Sequence, residues 1–390
     1  MKKLILIVCL IVTVCLFGYL YSKNKINDQR VVIQFSSWGS ESEISILKPI
    51  LKNFEKENPD IKIDFMHIPQ NYFQKLHLLF ASNTSPDVIF INNQYLPIYA
   101  NAGVLEELSE YEKDFEFDKF YSKALTTMSW KAGYYAVPRD ISNLVIFYNK
   151  DLFKKYGVKY PHTGWTYDEF LITAKKLTHR PDSFGFSFEE EPLYYLPFLT
   201  SEGYFDLPYY DKVKNNNGLL QYANLRNKYH VAPYKKESAS ATMAQMFLQG
   251  KIGMHLSGRW LVPKYRQEAK FDWDIIEFPK MKEGSIVPMD SSGWAISKAS
   301  KHKPQAVRLI KYLSSKSSID KFAKSGLIVP ARIDSANSEN FLDGQKPKNA
   351  KVFLSIIKTS VPSHVSTDYR EILDELKSKT EILFNSVEQE

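Results

Sequence analysis

The sequence predicts an α/β protein built as two domains, and three observations carry that expectation. Between residues 31 and 91, short apolar strands alternate with helix-period segments in the order β-α-β-α-β, which implies a mostly parallel sheet with helices on its faces. A length of 390 residues suffices for two domains of ordinary size. The composition, 44% hydrophobic and 24% charged, is that of a globular chain.

At the amino end, Lys2 and Lys3 precede an apolar run over residues 4–21. A charged start followed by an apolar core is the export pattern, and the run reaches the length that spans a bilayer. No small-x-small cleavage site is evident. Val8 before Cys9 and Val14 before Cys15 depart from the small residue that precedes a lipidated cysteine. Residues 1–22 are therefore expected to be a signal peptide or a membrane anchor. The body is expected on the extracytoplasmic face of the cell membrane, or in the periplasm of a Gram-negative cell. Residues 23–30 are polar and read as a linker.

The body opens with a predicted strand over 31–35 (VVIQF) that runs into a polar loop holding Trp38. An amphipathic helix follows, with Leu47, Ile50, Leu51 and Phe54 at helical spacing and a stop at Asn58 and Pro59. A strand over 61–65, a helix over 72–81 and a strand over 88–91 complete the unit. Ligands of such sheets sit beyond the carboxyl ends of the strands, here the loops 36–40 and 92–95. Thr166 and Glu169 have the spacing of a capping box. Residues 241–248 are helix-like and 252–256 have strand character. A Gly turn then leads to Trp260 on a loop, where recognition residues usually sit. Ala306, Leu309, Ile310 and Leu313 share one helix face, and Ile372, Leu373 and Leu376 mark a C-terminal helix.

Composition excludes several function classes. The formal charge is +7, and residues 1–30 supply four of it, with Lys2, Lys3, Lys23, Lys25 and Arg30 against Asp28. The rest of the chain intersperses both signs, as solvated surface does, with no nucleic-acid patch. Both cysteines lie in the leader, so the body has no disulfide, thiolate metal site or cysteine nucleophile. The eight histidines show no zinc-like pairing, and no G-x-S-x-G, H-E-x-x-H, P-loop or G-x-G-x-x-G motif occurs. No metal or cofactor is expected. Aromatics at 14% suit a protein that grips flat apolar faces, and equally an aromatic core. Carboxylates are plentiful enough that counting does not exclude a glycosidase pair.

Six segments carry a family resemblance: SPDVIFINNQYLPIYANAGVLEEL at 85–108, YYAVPRDISNLVIFYNKDLFKKYGV at 134–158, TGWTYDEFLITAKKLT at 163–178, LQGKIGMHLSGRWLV at 248–262, DSSGWAISKASKHKPQAVRLIKYLSS at 290–315 and SGLIVPARIDSA at 325–336. In this order they resemble the extracellular solute-binding proteins of ABC importers, in their carbohydrate-binding branch. The resemblance implies a two-lobed periplasmic-binding-protein-like (type II) fold, each lobe a mostly parallel sheet flanked by helices, with the ligand cleft between lobes. It places residues 31–142 plus 294–335 in lobe 1 and 143–293 plus 336–390 in lobe 2. It implies a monomeric, non-catalytic subunit that closes on a sugar or oligosaccharide and delivers it to the transmembrane permease. A binding protein for another solute (an anion, polyamine or glycerophosphodiester) and a secreted carbohydrate-active enzyme are the competing readings.

Sugar recognition needs rings for the C–H faces and carboxylates, amides or Arg for the hydroxyls. Trp38 matches the family's first-loop ligand position, and Glu41 is a hydroxyl acceptor or an exposed acid at a helix start. Asn93 and Gln94 occupy the third-strand loop. Asp140 accepts sugar hydroxyls or is held in a salt bridge by Arg139. Trp260 and Trp294 are expected to face the cleft, against the competing role of core tryptophans. Arg332 reaches the ligand or braces the hinge, and Tyr369 matches a stacking position from the second lobe. Trp165 reads as packing, and the acidic run Glu189, Glu190 and Glu191 as a solvated loop.

Overall fold

The computed structural model describes residues 30–205, 209–238, 240–363 and 365–386. The signal or anchor expected at 1–22, and all but the last residue of the linker, lie outside the described residues. Among the described residues no helix is long and apolar enough to cross a membrane.

Strands β1 (Val31–Ser37), β2 (Ile61–His67) and β3 (Val88–Asn92) pair in parallel in the order β2-β1-β3. A small hairpin joins β4 (Ser129–Trp130) to β5 (Gly133–Tyr134). The long strand β6 (Val137–Asn149) then changes partners midway. The remaining strands are β7 (Phe184–Phe186), β8 (Ile252–Gly258), β9 (Trp273–Ile276), β10 (Pro288–Ile296), β11 (Val329–Pro330) and β12 (Val361–Pro362). The sheet path runs β2-β1-β3-β10-β6-β8-β7.

Up to Asn143, β6 pairs with β10, and from Leu144 onward it pairs with β8 and β9. β6 thus passes from one set of sheet partners to another between Asn143 and Leu144. β10 is the return crossing, and β11 adds a third contact by pairing with β6 at Asp140 and Ile141. The sheet is mixed. The crossing strands β6 and β10 run antiparallel to each other and to β3, β8 and β9, while β2-β1-β3, β7-β8 and β10-β12 are parallel. A strand entering a new lobe from one end and a strand leaving it cannot point the same way.

Local signals set the helices. In helix Glu41–Glu57, Ser40 caps the Glu43 N–H and the apolar stripe Ile44, Leu47, Ile50, Leu51 and Phe54 is buried. Helix Tyr167–Leu177 begins with a reciprocal capping box between Thr166 and Glu169. Helix Met243–Leu248 repeats the device with Thr242 and Gln245 and feeds β8. In helix Lys303–Leu313 the face Ala306, Leu309, Ile310 and Leu313 is fully buried. Trp165 is a packing residue as expected, buried and donating Nε1–H to the Glu277 carbonyl at 2.9 Å.

Candidate functional site

A cleft opens beyond the carboxyl ends of β1, β3 and β8, where the parallel-sheet rule places ligands. It consists of four joined chambers. One, about 160 Å³, lies between Trp38, Arg139, Asp140, Arg259 and Trp260. It shares Ser142, Trp260 and Ser292 with a second chamber of about 150 Å³ beside Asn93 and Gln94. Gln94, Leu193 and Asp290 lead from there to an outer chamber of about 370 Å³ lined by Tyr194, Tyr204 and Tyr369. A fourth, of about 570 Å³, joins through Trp260 and Tyr194 and holds Glu189 and Tyr234. A separate hollow beside Lys123 and Lys351 shares no lining residue with these. There the Lys123 ammonium already donates to the Ile357, Lys358 and Ser360 carbonyls.

Trp260 lines three of the four chambers. It sits in the single turn Arg259–Leu261 that follows β8, half-buried against the core. Gly258 makes that placement possible. A Cβ there would lie 1.9 Å from the Trp260 ring, so the ring occupies the space of the missing side chain. No aromatic ring among the described residues stacks on Trp260, whereas Trp38 is wedged against Phe90 at 4.3 Å, Tyr72 at 5.1 Å and Phe73 at 5.3 Å.

The polar groups of the β3–β10 side hold one another. Asn93 Nδ2 donates to Asp290 Oδ1 at 2.8 Å and Gln94 Nε2 to Asp290 Oδ2 at 3.2 Å. Asn93 Oδ1 accepts from the Ser291 N–H. Arg139 bridges Asp140, at 2.7 Å, and Glu43, with its guanidinium over the Phe90 ring at 4.3 Å. Asp140 also accepts the Ser292 N–H at 3.2 Å. Burial pushes the Asp140 carboxyl up, against the pull of Arg139. Tyr369, at the start of helix Tyr369–Phe384, lines the outer chamber, and burial raises its phenol well above the ordinary value.

The structure brings Trp38, Asn93, Gln94, Asp140, Trp260 and Tyr369 to one cleft. Three expected residues are corrected. Trp294 is 1% exposed and lies within β10 between β3 and β6, near the Phe90 ring, so it is a core tryptophan. Arg332 is 4% exposed, and Glu116, Asp334 and the Ser314 carbonyl take up its guanidinium away from all four chambers, so it braces the chain. Glu41 is exposed and lines none of the chambers; Glu43, two residues on, is the acid turned inward.

Sequence reasoning passed over Tyr194, Asp290, Arg259 and Glu189. Glu189 was read as a solvated loop acid, but it is partly buried on the fourth chamber. Burial and the neighbouring Glu191 push its carboxyl up to about 7. The adjacency of Arg259 to Trp260 was the one available signal for that residue.

Among the described residues no group of His, Cys, Asp or Glu is arranged to hold a metal ion. Rings, amides and carboxylates around an elongated cleft can bind a polyhydroxylated solute.

The sequence pattern of bacterial extracellular solute-binding proteins matches residues 37–319. A multiple sugar-binding protein of Streptococcus mutans is 24% identical over 76% of this chain and 74% of its own. A maltodextrin-binding protein of Bacillus subtilis is 23% identical over 81% of this chain and 77% of its own. Among solved structures, an ABC substrate-binding protein of Listeria monocytogenes in complex with cycloalternan superposes with a TM-score of 0.82. It is 26% identical and covers 92% of this chain and 94% of that one. With the matched pattern spanning most of the body and the two-lobed α/β fold in place, the chain belongs to the bacterial extracellular solute-binding protein family.

Proposed function

We propose that this protein is the extracytoplasmic substrate-binding subunit of an ABC importer that takes up an oligosaccharide. The observation that carries the reading is Trp260, a half-buried ring without a ring partner among the described residues, set where three chambers meet. A flat apolar ring flanked by amides and carboxylates suits the C–H face and hydroxyl rim of a pyranose. Tyr194 and Tyr369 along the outer chamber extend the same chemistry. The cleft's length, from Trp38 to Tyr204, suits several sugar units rather than one. The named relatives bind sugars, which supports the assignment.

In this reading Trp38, Asn93, Gln94, Asp140, Trp260 and Tyr369 contact the ligand. Residues 31–142 plus 294–335 and 143–293 plus 336–390 form the lobes, which close about the crossing strands. The protein performs no chemistry and acts as a monomer. It presents the closed, loaded form to the permease from the outer side of the membrane, held by its N-terminal segment. The ligand drives closure only through its greater affinity for the closed state. Melting the protein against a panel of oligosaccharides tests this. A true ligand at about a hundred times its dissociation constant adds roughly 2.7 kcal/mol of stability. Small-angle scattering with that ligand should show a smaller radius of gyration. Failure of every sugar in the panel to raise the melting temperature would refute the reading.

A further inference from the structure

The charges that face the cleft do not balance. The chamber beside Trp38 sets Glu43 and Asp140 against Arg139 and Arg259 and is neutral. The outer chamber and the one beside Asn93 hold Asp290 and Glu191 between them, with no lysine or arginine among the described residues. The fourth sets Glu189, Glu190 and Glu191 against Arg226 and Lys235, and its His255, pushed down to about 3 by burial, is neutral. Over the four chambers six acids stand against four bases, a formal charge of −2 in a chain of formal charge +7. Lys377 and Glu381, which bond Glu191 and Lys235 from outside these walls, cancel each other. A cleft lined by an excess of one sign attracts the opposite sign.

Glu189 is the acid of its run to which none of these cations is bonded. It lies between β7 and helix Pro192–Ser201, and Tyr222 pins its backbone from both sides. The Glu189 N–H donates to the Tyr222 hydroxyl at 2.9 Å, and that hydroxyl donates to the Glu189 carbonyl at 2.7 Å. The partly buried side chain forms a wall of the fourth chamber together with Trp260, Tyr194 and Tyr234. Burial and the charge of Glu191 push its carboxyl up to about 7, with Glu190 adding to them and the Met243 N–H and Arg226 opposing. The nearby cations are bonded to other acids: Arg226 to Glu190 at 2.8 Å, Lys235 to Glu190 at 3.0 Å and Glu381 at 3.1 Å, and Lys377 to Glu191. The phenols that feel the charge of Glu189, those of Tyr194, Tyr222 and Tyr265, are neutral. A carboxylate disfavoured by burial and like charge is favoured again by a cation placed beside it.

We propose that Glu189 is a specificity-determining residue that binds an ammonium group of the ligand, and that the solute is an oligosaccharide containing an amino sugar. This rests on the sugar-binding reading of the cleft. Trp260 would stack on the pyranose whose amino group reaches Glu189 across the fourth chamber. A charge-assisted hydrogen bond there supplies the positive charge that the cleft walls lack.

The test is calorimetric titration of the protein near neutral pH with glucosamine oligosaccharides, their N-acetylated counterparts, neutral malto-oligosaccharides and spermidine. Tight binding of a glucosamine oligosaccharide should fall at least tenfold on N-acetylation, which removes the charge and keeps the ring. It should fall by a similar factor in Glu189→Gln, with Glu189→Asp recovering part of the loss. In buffers of different ionisation enthalpy, the parent should release more protons on binding than Glu189→Gln does, because the ammonium holds Glu189 ionised. Four results would overturn the proposal. One is tight binding of a neutral or N-acetylated sugar that Glu189→Gln leaves within twofold. Another is equal proton release by parent and Glu189→Gln. The third is preference for spermidine over every sugar. The fourth is a large drop in the ligand-free melting temperature of Glu189→Gln with amino-sugar affinity intact, which would make Glu189 a structural residue. The first leaves the sugar-binding reading standing; failure of every sugar, amino and neutral, would take that reading down as well.

Discussion

On the β3–β10 side of the cleft, Asn93 and Gln94 direct their amide donors to Asp290, and Asp140 and Glu43 close on Arg139. On the β8 side, among the described residues, Trp260 has no ring partner and Arg259 Nε and Nη1 have no hydrogen-bond partner, and Glu189 is an acid destabilised by burial. On the first side these amides, acids and Arg139 hold one another before any ligand arrives, although Ser291 Oγ there has no partner among the described residues. The second carries groups left partly without partners among the described residues. A network in which each member is bonded specifies its own geometry. A ring or cation left open adds little to folding and can add much to binding. In the proposed reading the two sides divide the work: the first mainly sets the shape of the cleft and the second supplies most of the affinity.

The two tryptophans of this comparison give the largest expected effects. Trp294 belongs to the satisfied side, buried between strands, and Trp294→Ala should lose about 3–5 kcal/mol of stability. Trp260→Ala should leave the ligand-free melting temperature close to that of the parent and weaken binding by about 2 kcal/mol or more, roughly thirtyfold. Thermal melts and titrations of both variants check the division. A large stability loss from Trp260→Ala, with affinity preserved in the folded protein, would break it.

How much of this was legible depended on how far each residue's partners lie along the chain. The Thr166–Glu169 box and the buried stripe of helix Glu41–Glu57 need only neighbours three or four residues away, and both appeared where the spacing put them. The strands began where expected and ran one or two residues longer, because pairing continued into the ligand loops. Trp294 was misplaced because its surroundings depend on register: it sits opposite Phe90 in one neighbour and Val137 in the other. Arg332 is answered in part by Glu116, more than two hundred residues earlier in the chain, which no local pattern reveals. Glu189 looked solvated because its sequence neighbours are acids. Glu190 and Glu191 do find cations, in Arg226, Lys235 and Lys377.

Glu189 gives a smaller effect with a defined pH signature. Its folded carboxyl titrates at about 7, against an ordinary value of 4.5, with burial and Glu191 raising it, Glu190 adding to them and Arg226 opposing. Between these values the folded protein holds a proton that the unfolded chain has lost, so stability falls as pH rises. His255, buried and pushed down to about 3, contributes the opposite slope below its ordinary value of 6.5. That slope is common to parent and variant, so their difference isolates Glu189. Glu189→Gln should match the parent near pH 4 and be more stable by about 1–2 kcal/mol at pH 8, a figure reduced for partial exposure. Equal melting temperatures for the two proteins across that range would mean that the acid is solvated after all.

The smallest expected effect belongs to Glu41, and it tests where the satisfied side ends. Glu41 starts the helix whose third residue, Glu43, enters the Arg139 network, so the two acids differ in environment although they share one turn. The Glu41 side chain is exposed and outside the four chambers, and surface changes of this kind stay within about 0.5 kcal/mol. Glu41→Ala should therefore shift neither the melting temperature nor the ligand affinity beyond about twofold. An unchanged melting temperature with a clear loss of affinity would carry a specific meaning. It would show that lobe closure swings this helix start across the cleft mouth and places Glu41 on the ligand. The division of labour would then hold only for the open form, and the β3–β10 side would gain an unanswered acceptor of its own.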